Sequence, residues 1–372
     1  MDQSRLSLLA LHFIPGLGDY LIRQLVSYCG TAEKVFHTPR GKLLKIPGVG
    51  QKTAALIGSG TAFNLAEQEI VKCERQNVSL IFFSDDHYPK RLRAVEDAPT
   101  LLYVKGSANL DHPKTVGIVG TRRATNYGRQ CIEELINGLI PYQAMVVSGL
   151  AYGIDILAHK QALECNLPTV GILGSGVDVI YPSVHSDIAK RMEHDGAIIS
   201  EQPLGAKPDA HNFPARNRII AALSDALVVV EAGQTGGALI TAEIANSYNK
   251  DVFAFPGNIG QSYSYGCNQL IKTNKANLIT SSADLEYMMN WDQQSSKKAK
   301  PSFDSGEYSD EERTVLLTLL DNGGTLVIDE LSWKSNFPTA RLASLLLNLE
   351  FRGAVQSLPG KLYRLSSSVS MQ

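Results

Sequence analysis

A doubly wound α/β domain, a parallel sheet covered by helices on both faces, is the fold class predicted for the middle of this 372-residue chain. Three observations predict it. From residue 115 short β-rich runs alternate with helical ones. The runs are continuously apolar rather than alternating, as in strands buried on both faces. Run after run ends in Gly, Ser or Thr, as strand-to-helix turns do.

The strands expected are 115–120 (TVGIVG), 144–149 (AMVVSG), 169–174 (TVGILG), 197–201 (AIISE), 226–232 (ALVVVEA), 251–256 (DVFAFP) and 276–280 (ANLIT), with helices such as "YGRQCIEELINGLI" and "IDILAHKQALECN" between them. Together they set a domain over 76–290. Ahead of it, residues 1–75 read as a small helical module holding "IPGLG" at 14–18 and "IPGVG" at 46–50. A hydrophobe-Pro-Gly-hydrophobe-Gly turn between helices is the helix-hairpin-helix signature, whose glycines let backbone N–H groups approach a phosphate. A turn used only for packing fits equally well. The second copy, with Lys52 in the first turn of its helix, is the better phosphate candidate.

Residues 291–309 (WDQQSSKKAKPSFDSGEYS) are polar and without periodicity, so they read as a linker. After it, 310–372 reads as three helices and a β-hairpin, the plan of a winged helix. Its third helix shows mainly Ala, Leu, Ser and Asn between Arg341 and Arg352. A helix that reads a DNA groove normally presents several donors, so contact with protein, or packing, is expected there instead.

Composition narrows the partners. Hydrophobic residues make up 44% and charged residues 19% of the chain, and no apolar run approaches the ~20 residues that span a bilayer. The N-terminus lacks the basic start and cleavage site of a signal peptide, so a cytoplasmic protein without membrane contact is expected. Five scattered cysteines without a CxxC pair fit a reducing compartment and argue against a zinc ribbon. Net charge is −2, made of +3 over 1–110, −2 over 111–283 and −3 over 284–372, so any polyanion site must be a local patch.

In an open α/β sheet, ligands sit outside the carboxyl ends of the strands. Those ends carry "GTRRATNYG" (120–128), "SGLAYGID" (148–155), "GSGVDVIYP" (174–182), "SEQPLG" (200–205) and "EAGQTGGALIT" (231–241). Their small residues, among them Gly120, Thr121, Ser148, Gly149, Gly174, Gly176, Thr235, Gly236 and Gly237, leave amides free to form anion nests. Arg122 and Arg123 stand at one end, and Arg216 and Arg218 precede the fifth strand. The planar guanidinium fork matches phosphate geometry.

Catalytic signals are weak by comparison. "GILGSG" (171–176) lacks the G-x-G-x-x-G spacing and no G-x-x-x-x-G-K-[ST] occurs, so no nucleotide cofactor is expected. Asp155 and His159 lie four apart on a helix without a third metal ligand, and Ser148 is not in a G-x-S-x-G elbow. Glu201 and Glu231 end strands, as general bases or, more simply, as partners of the arginines. The predicted anion is gripped rather than cleaved.

"GTRRATNYG", "SGLAYGIDILAH", "GSGVDVIYP", "SEQPLG", "FPARNRIIAALS", "EAGQTGGALITA" and "VFAFPGNI…GCNQLI", in that order, resemble the bacterial DNA-processing protein A (DprA, or Smf) family over about 85–283. The resemblance implies a Rossmann-like domain between a SAM-like helical domain and a winged helix. It further implies a non-enzyme that binds single-stranded DNA, forms a homodimer through the Rossmann-like domain, and helps load the recombinase RecA in natural transformation. The family's Gly-Ser-Arg motif falls on Gly120, Thr121 and Arg122, with Thr for Ser. Its Arg-Asn-Arg motif falls on Arg216, Asn217 and Arg218, with Phe213 just before. Its Ser-Gly-Ser turn is Thr235, Gly236 and Gly237 here, one hydroxyl fewer, and Gln234 stands near where some relatives carry a DNA-contacting lysine. Phe213 or Tyr181 is expected to stack a base.

Two rivals follow from the same residues. One is a nucleotide phosphoribohydrolase of the same fold class, for which Glu243 in "GGALITAE" falls at the acidic position while Leu239 and Ile240 replace the Gly-Thr of its phosphate turn. The other is a double-strand DNA-binding regulator working through the winged helix.

Overall fold

A computed structural model describes residues 2–291, 308–322, 324–358 and 360–365. The linker expected at 291–309 therefore lies almost wholly outside the described residues. The chain divides into two compact units, Met1–Gln293 and Gln294–Gln372.

The first unit opens with six helices: α1 (Gln3–His12), α2 (Asp19–Cys29), α3 (Ala32–His37), α4 (Arg40–Leu43), α5 (Gln51–Ser59) and α6 (Thr61–Arg75). Nine strands follow: β1 (Ser79–Phe82), β2 (Leu101–Gly106), β3 (Thr115–Val119), β4 (Met145–Ser148), β5 (Thr169–Ile172), β6 (Ala197–Ser200), β7 (Ala226–Val229), β8 (Asp251–Ala254) and β9 (Asn277–Leu278). Between and after them run α7 (Lys90–Arg93), α8 (Asn126–Leu139), α9 (Ile154–Glu164), α10 (Ser186–Asp195), α11 (Asn212–Leu223), α12 (Gly237–Ser247), α13 (Tyr265–Lys272) and α14 (Ser282–Met288). All nine strands form one sheet in the order β1-β2-β6-β5-β4-β3-β7-β8-β9.

From β6 to β9 every neighbouring pair is parallel, and β3 to β7 are buried along their whole length. The two faces divide residue by residue, as the period of two demands. Met145, Val147, Leu227 and Val229 point into the core beneath α11 and α12. Val146, Ala226 and Val228 join Cys131, Ile132, Leu135, Ile136 and Leu139 of α8, whose spacing makes one apolar helix face. This is the expected doubly wound, Rossmann-like sheet.

Two features differ from expectation. The sheet is mixed, because β1 and β2 add antiparallel strands at one edge, pairing Tyr103 with Ser200 of β6 and Phe82 with Leu101. The segments "SLIF" and "LLYVKG" lie outside the strand-helix rhythm and were not among the expected strands. Several strands also stop short of the expected ends, β7 at Val229 rather than 232 and β5 at Ile172 rather than 174. After β7 the chain leaves the ladder to form part of the rim of the cleft described below.

The N-terminal helices share a core with the sheet rather than standing apart. Leu9, Leu25, Ile57 and Ala66 pack in one cluster with Leu80, Phe82, Tyr103 and Ile198. Polar ties reinforce the junction: Leu204 N donates to the buried Glu69 carboxylate (2.7 Å), and Thr100 Oγ1 bridges His12 Nε2 and Asp19 Oδ1, 2.7 Å from each. No helix among the described residues is long and apolar enough to cross a membrane.

The second unit is α15 (Asp310–Asp321), β10 (Thr325–Val327), α16 (Ile328–Ser335), α17 (Thr339–Phe351), β11 (Val355–Leu358) and β12 (Leu362–Leu365). A Ser309/Glu312 capping box starts α15. The strands form an antiparallel sheet ordered β10-β12-β11, one strand more than the expected hairpin, over a core of Val315, Leu319, Leu331, Leu342 and Leu346. On α17 Arg341 is engaged with Glu311 (2.5 Å), while Ser344, Leu347 and Asn348 are exposed.

Candidate nucleic-acid interface

The order of the parallel strands reverses between β3 and β7, and the chain opens a cleft of about 690 Å³ at their carboxyl ends. This is where a doubly wound sheet leaves amide groups without strand partners.

Close backbone packing builds the β3 side. A Cβ on Gly120 would meet Ile154 Cγ1 at 2.5 Å, and one on Gly153, whose φ is +77°, would meet Thr121 O at 2.1 Å. Glycines at both places let α9 close onto the turn, where Ile154 N donates to Thr121 O (3.1 Å). Thr121 N donates to Glu231 O (2.7 Å), and the Glu231 carboxylate accepts from Thr125 N (2.9 Å) and Thr125 Oγ1 (2.7 Å). Glu231 thus holds the 121–125 turn and pairs with no arginine, contrary to the simpler expectation. Arg122 is left exposed, its guanidinium carbon 6.0 Å from the Phe213 ring centroid. Phe213 lies 5.7 Å from Tyr181, so a cation and two aromatic rings form a row along the lip.

On the β7 side Thr235, Gly236 and Gly237 are exposed and lead into α12. Gly236 has φ +149°, open to glycine alone in practice, and this conformation presents the first amides of α12 to the cleft. Asn217 Nδ2 donates to Gly237 O (3.4 Å), and Thr241 Oγ1 donates to the same oxygen (2.8 Å), which fixes the turn from beneath.

The two arginines of "RNR" have different fates. Arg216 is buried under the cleft, where Nε donates to Asn217 Oδ1 (2.8 Å) and Nη1 donates to Gly149 O (2.7 Å) and to Ile172 O. It ties the ends of β4 and β5 together and lies beside Asp155, which accepts from Gly149 N (3.2 Å). Burial pushes the guanidinium down to about 10, opposed by Asp155 and helped by Arg122, so it stays charged at neutral pH. Burial also raises the Asp155 carboxyl, against the pull of Arg216. Arg218 points away from the cleft and pairs with Glu201 and with Asp19 (3.3 Å).

Gly120, Thr121, Arg122, Phe213, Arg216, Asn217, Thr235, Gly236 and Gly237 therefore line one cleft. Ser148, Gly149, Gly174 and Gly176 do not. Ser148 is buried and donates to Ile118 O (2.6 Å), and the three glycines are buried at points of close packing, Gly149 against the Arg216 guanidinium. Sequence reasoning passed over Ile240 and Tyr263, which line the cleft from α12 and from the loop after β8. The aromatic-rich "SYSYG" was the available signal for Tyr263.

The possible catalytic groups are used otherwise. His159 is buried with Nδ1 2.7 Å from Thr169 Oγ1, and burial pushes it down to about 3, a neutral core histidine. No group of three His, Cys, Asp or Glu suited to a metal occurs among the described residues. Glu243 is exposed outside the cleft and paired with Lys275 (2.6 Å).

Comparison with known proteins agrees with this architecture. The family model of DNA recombination-mediator protein A matches residues 79–290, and that of the DprA winged helix domain matches 298–361. The chain is 33% identical to a putative DNA processing protein DprA of Mycobacterium tuberculosis over 91% of this chain and 88% of that one. It is 35% identical to protein Smf of Escherichia coli over 80% of each. Among solved structures, DNA processing protein A of Streptococcus pneumoniae superposes with a TM-score of 0.68 at 32% identity, covering 77% of this chain and 98% of that one. DNA processing protein A of Helicobacter pylori, whose structure describes a single-stranded DNA binding mode, gives 0.52 at 31% identity over 57% and 95%.

Proposed function

Since the chain belongs to the DNA recombination-mediator protein A (DprA/Smf) family, we propose that its cleft grips single-stranded DNA without cleaving it. One observation carries the reading: the Arg122–Phe213–Tyr181 row faces the exposed amides of Thr235, Gly236 and Gly237 across one cleft. Phosphates lie along the amides and the Arg122 fork, with the Arg216 charge beneath, while a base stacks on Phe213 or Tyr181. A duplex turns its bases inward and cannot use the rings, so an unpaired strand is the fitting ligand.

On this reading the protein protects incoming strands and, as a cytoplasmic homodimer joined through the sheet domain, helps load the recombinase RecA during natural transformation. A dimer would hold one long strand at two points and gain avidity. It would also let a chain of net charge −2 retain a polyanion.

A gel shift comparing single-stranded and double-stranded oligonucleotides, without nucleotide cofactor, tests the reading. Preference for the single strand is expected, and equal or better binding of the duplex overturns it. Release of free base from AMP would instead establish the hydrolase alternative, which the position of Glu243 disfavours.

A further inference from the structure

The Ile-Pro-Gly-hydrophobe-Gly turn occurs twice, and the residues that follow the two copies are used oppositely. In the first, Gly16 has φ +84° and α2 begins with Asp19. That carboxylate accepts from Thr100 N and Thr100 Oγ1, both at 2.7 Å, and pairs with Arg218 at 3.3 Å. Pro15, Gly16 and Gly18 are exposed as in the second copy, but the Asp19 charge is balanced within the chain.

In the second copy Gly48 has φ +85°, and a Cβ there would meet Leu21 Cδ1 at 3.2 Å, so the turn rests on α2. The residues after it, Gln51 and Lys52, are exposed, and no carboxylate takes the place of Asp19. Lys34, Arg40, Lys42, Lys45 and Lys52 are all exposed, and the stretch 34–66 contains no Asp or Glu. Among the described residues none of the five has a carboxylate within 4.0 Å. Arg40 donates instead to the neutral Gln51 Oε1 (2.6 Å).

Five like charges without ion-pair partners among the described residues repel one another, a cost that a bound polyanion removes. Four of them, Arg40, Lys42, Lys45 and Lys52, lie within 13 residues of chain around a solvent-facing turn. They belong to the first 110 residues, the segment whose net charge is positive. We propose that this face is a second nucleic-acid contact, which binds the phosphate backbone irrespective of sequence. The proposal takes nucleic acid as the partner from the reading above, but it uses different residues from the cleft.

The test uses the full-length protein and measures affinity against salt by fluorescence anisotropy. Three probes are compared: a short oligo-dT of about 6 nucleotides, a long oligo-dT and a blunt duplex. The variant R40Q/K42Q/K45Q/K52Q is expected to bind the long strand or the duplex at least about tenfold more weakly, with a salt slope lower by roughly three, and the short oligo-dT unchanged. Loss on the duplex identifies duplex backbone as the ligand. Loss on the long strand alone identifies a continuation of the strand held in the cleft. The charge-keeping variant R40K/K42R/K45R/K52R is expected to bind all probes as the wild type does, which separates charge from any effect on folding. Wild-type affinity and slope of the glutamine variant on both long probes overturn the proposal. Arg122→Ala keeps the two readings apart: if it is silent on every probe while the glutamine variant weakens binding, the cleft fails and this face stands.

Discussion

Arg122 lies over Phe213, guanidinium carbon to ring centroid 6.0 Å, although one comes from the connection between β3 and α8 and the other from the first turn of α11. The pairing places a phosphate-matching fork and a stacking surface side by side at the cleft lip, the combination that a single strand needs and a duplex cannot exploit.

Removing the fork should cost affinity without regard to sequence. Arg122→Ala is expected to weaken binding similarly on oligo-dT, oligo-dA and mixed strands, and to lower the salt slope by about one unit. Equal slopes for the variant and wild type in a salt titration would count against a phosphate contact there.

The ring should behave differently. Phe213→Ala is expected to lose roughly 1–3 kcal/mol of strand affinity while leaving the salt slope as it was, because stacking releases no counter-ion. A changed slope with intact affinity would point to an indirect effect through Arg122.

Arg216 is the structural arginine. Its Nε and Nη1 hold Asn217, Gly149 O and Ile172 O inside the protein, so truncation leaves buried acceptors unpaired. Arg216→Ala is expected to destabilise the fold by roughly 2–4 kcal/mol in a denaturant titration. Arg122→Ala, at the surface, should stay within about 0.5 kcal/mol of the wild type.

His159 sets a pH dependence. Its folded value is pushed down to about 3 from an ordinary 6.5, so below pH 6.5 the unfolded chain binds a proton that the folded chain refuses. Its contribution is complete above pH 6.5 and is lost as pH falls toward 3, at up to ~1.4 kcal/mol per pH unit. Asp155 and Glu201, whose carboxyls are raised by burial, act in the opposite sense, so the comparison must be with His159→Gln. Stability curves of the two proteins that run parallel from pH 7 to pH 4 would refute the assignment.

Deleting 291–372 should leave strand binding by the remainder nearly intact, since the cleft is built wholly within Met1–Gln293. Loss of binding in a gel shift of the truncated chain would move the DNA contact to the winged helix.

Much of this was legible in the chain. Continuous apolar runs marked β3 to β8, and the cleft could be placed from glycines and hydroxyls at strand ends. The antiparallel β1 and β2 were not visible because short apolar strands outside the strand-helix rhythm have no periodic signature of their own. The Arg-Asn-Arg pair shows a second limit. Both arginines read alike, yet positions two apart on a helix face opposite ways, so one cleft cannot take both side chains. Arg218 turned to Glu201, a strand-end carboxylate already expected as an arginine partner, and to Asp19, 199 residues distant, a range at which local patterning carries no information. Ser148 and Gly149 were misjudged for a related reason: small residues at strand ends serve close packing as readily as anion contact.

The cation beneath the cleft floor has one more effect. Because Arg216 is buried, its donors are held by Asn217, Gly149 O and Ile172 O, and it keeps its proton up to about pH 10, its charge is fixed by the folded scaffold itself. On the proposed reading, substitutions along the lip then change which base stacks there while this charge stays in place.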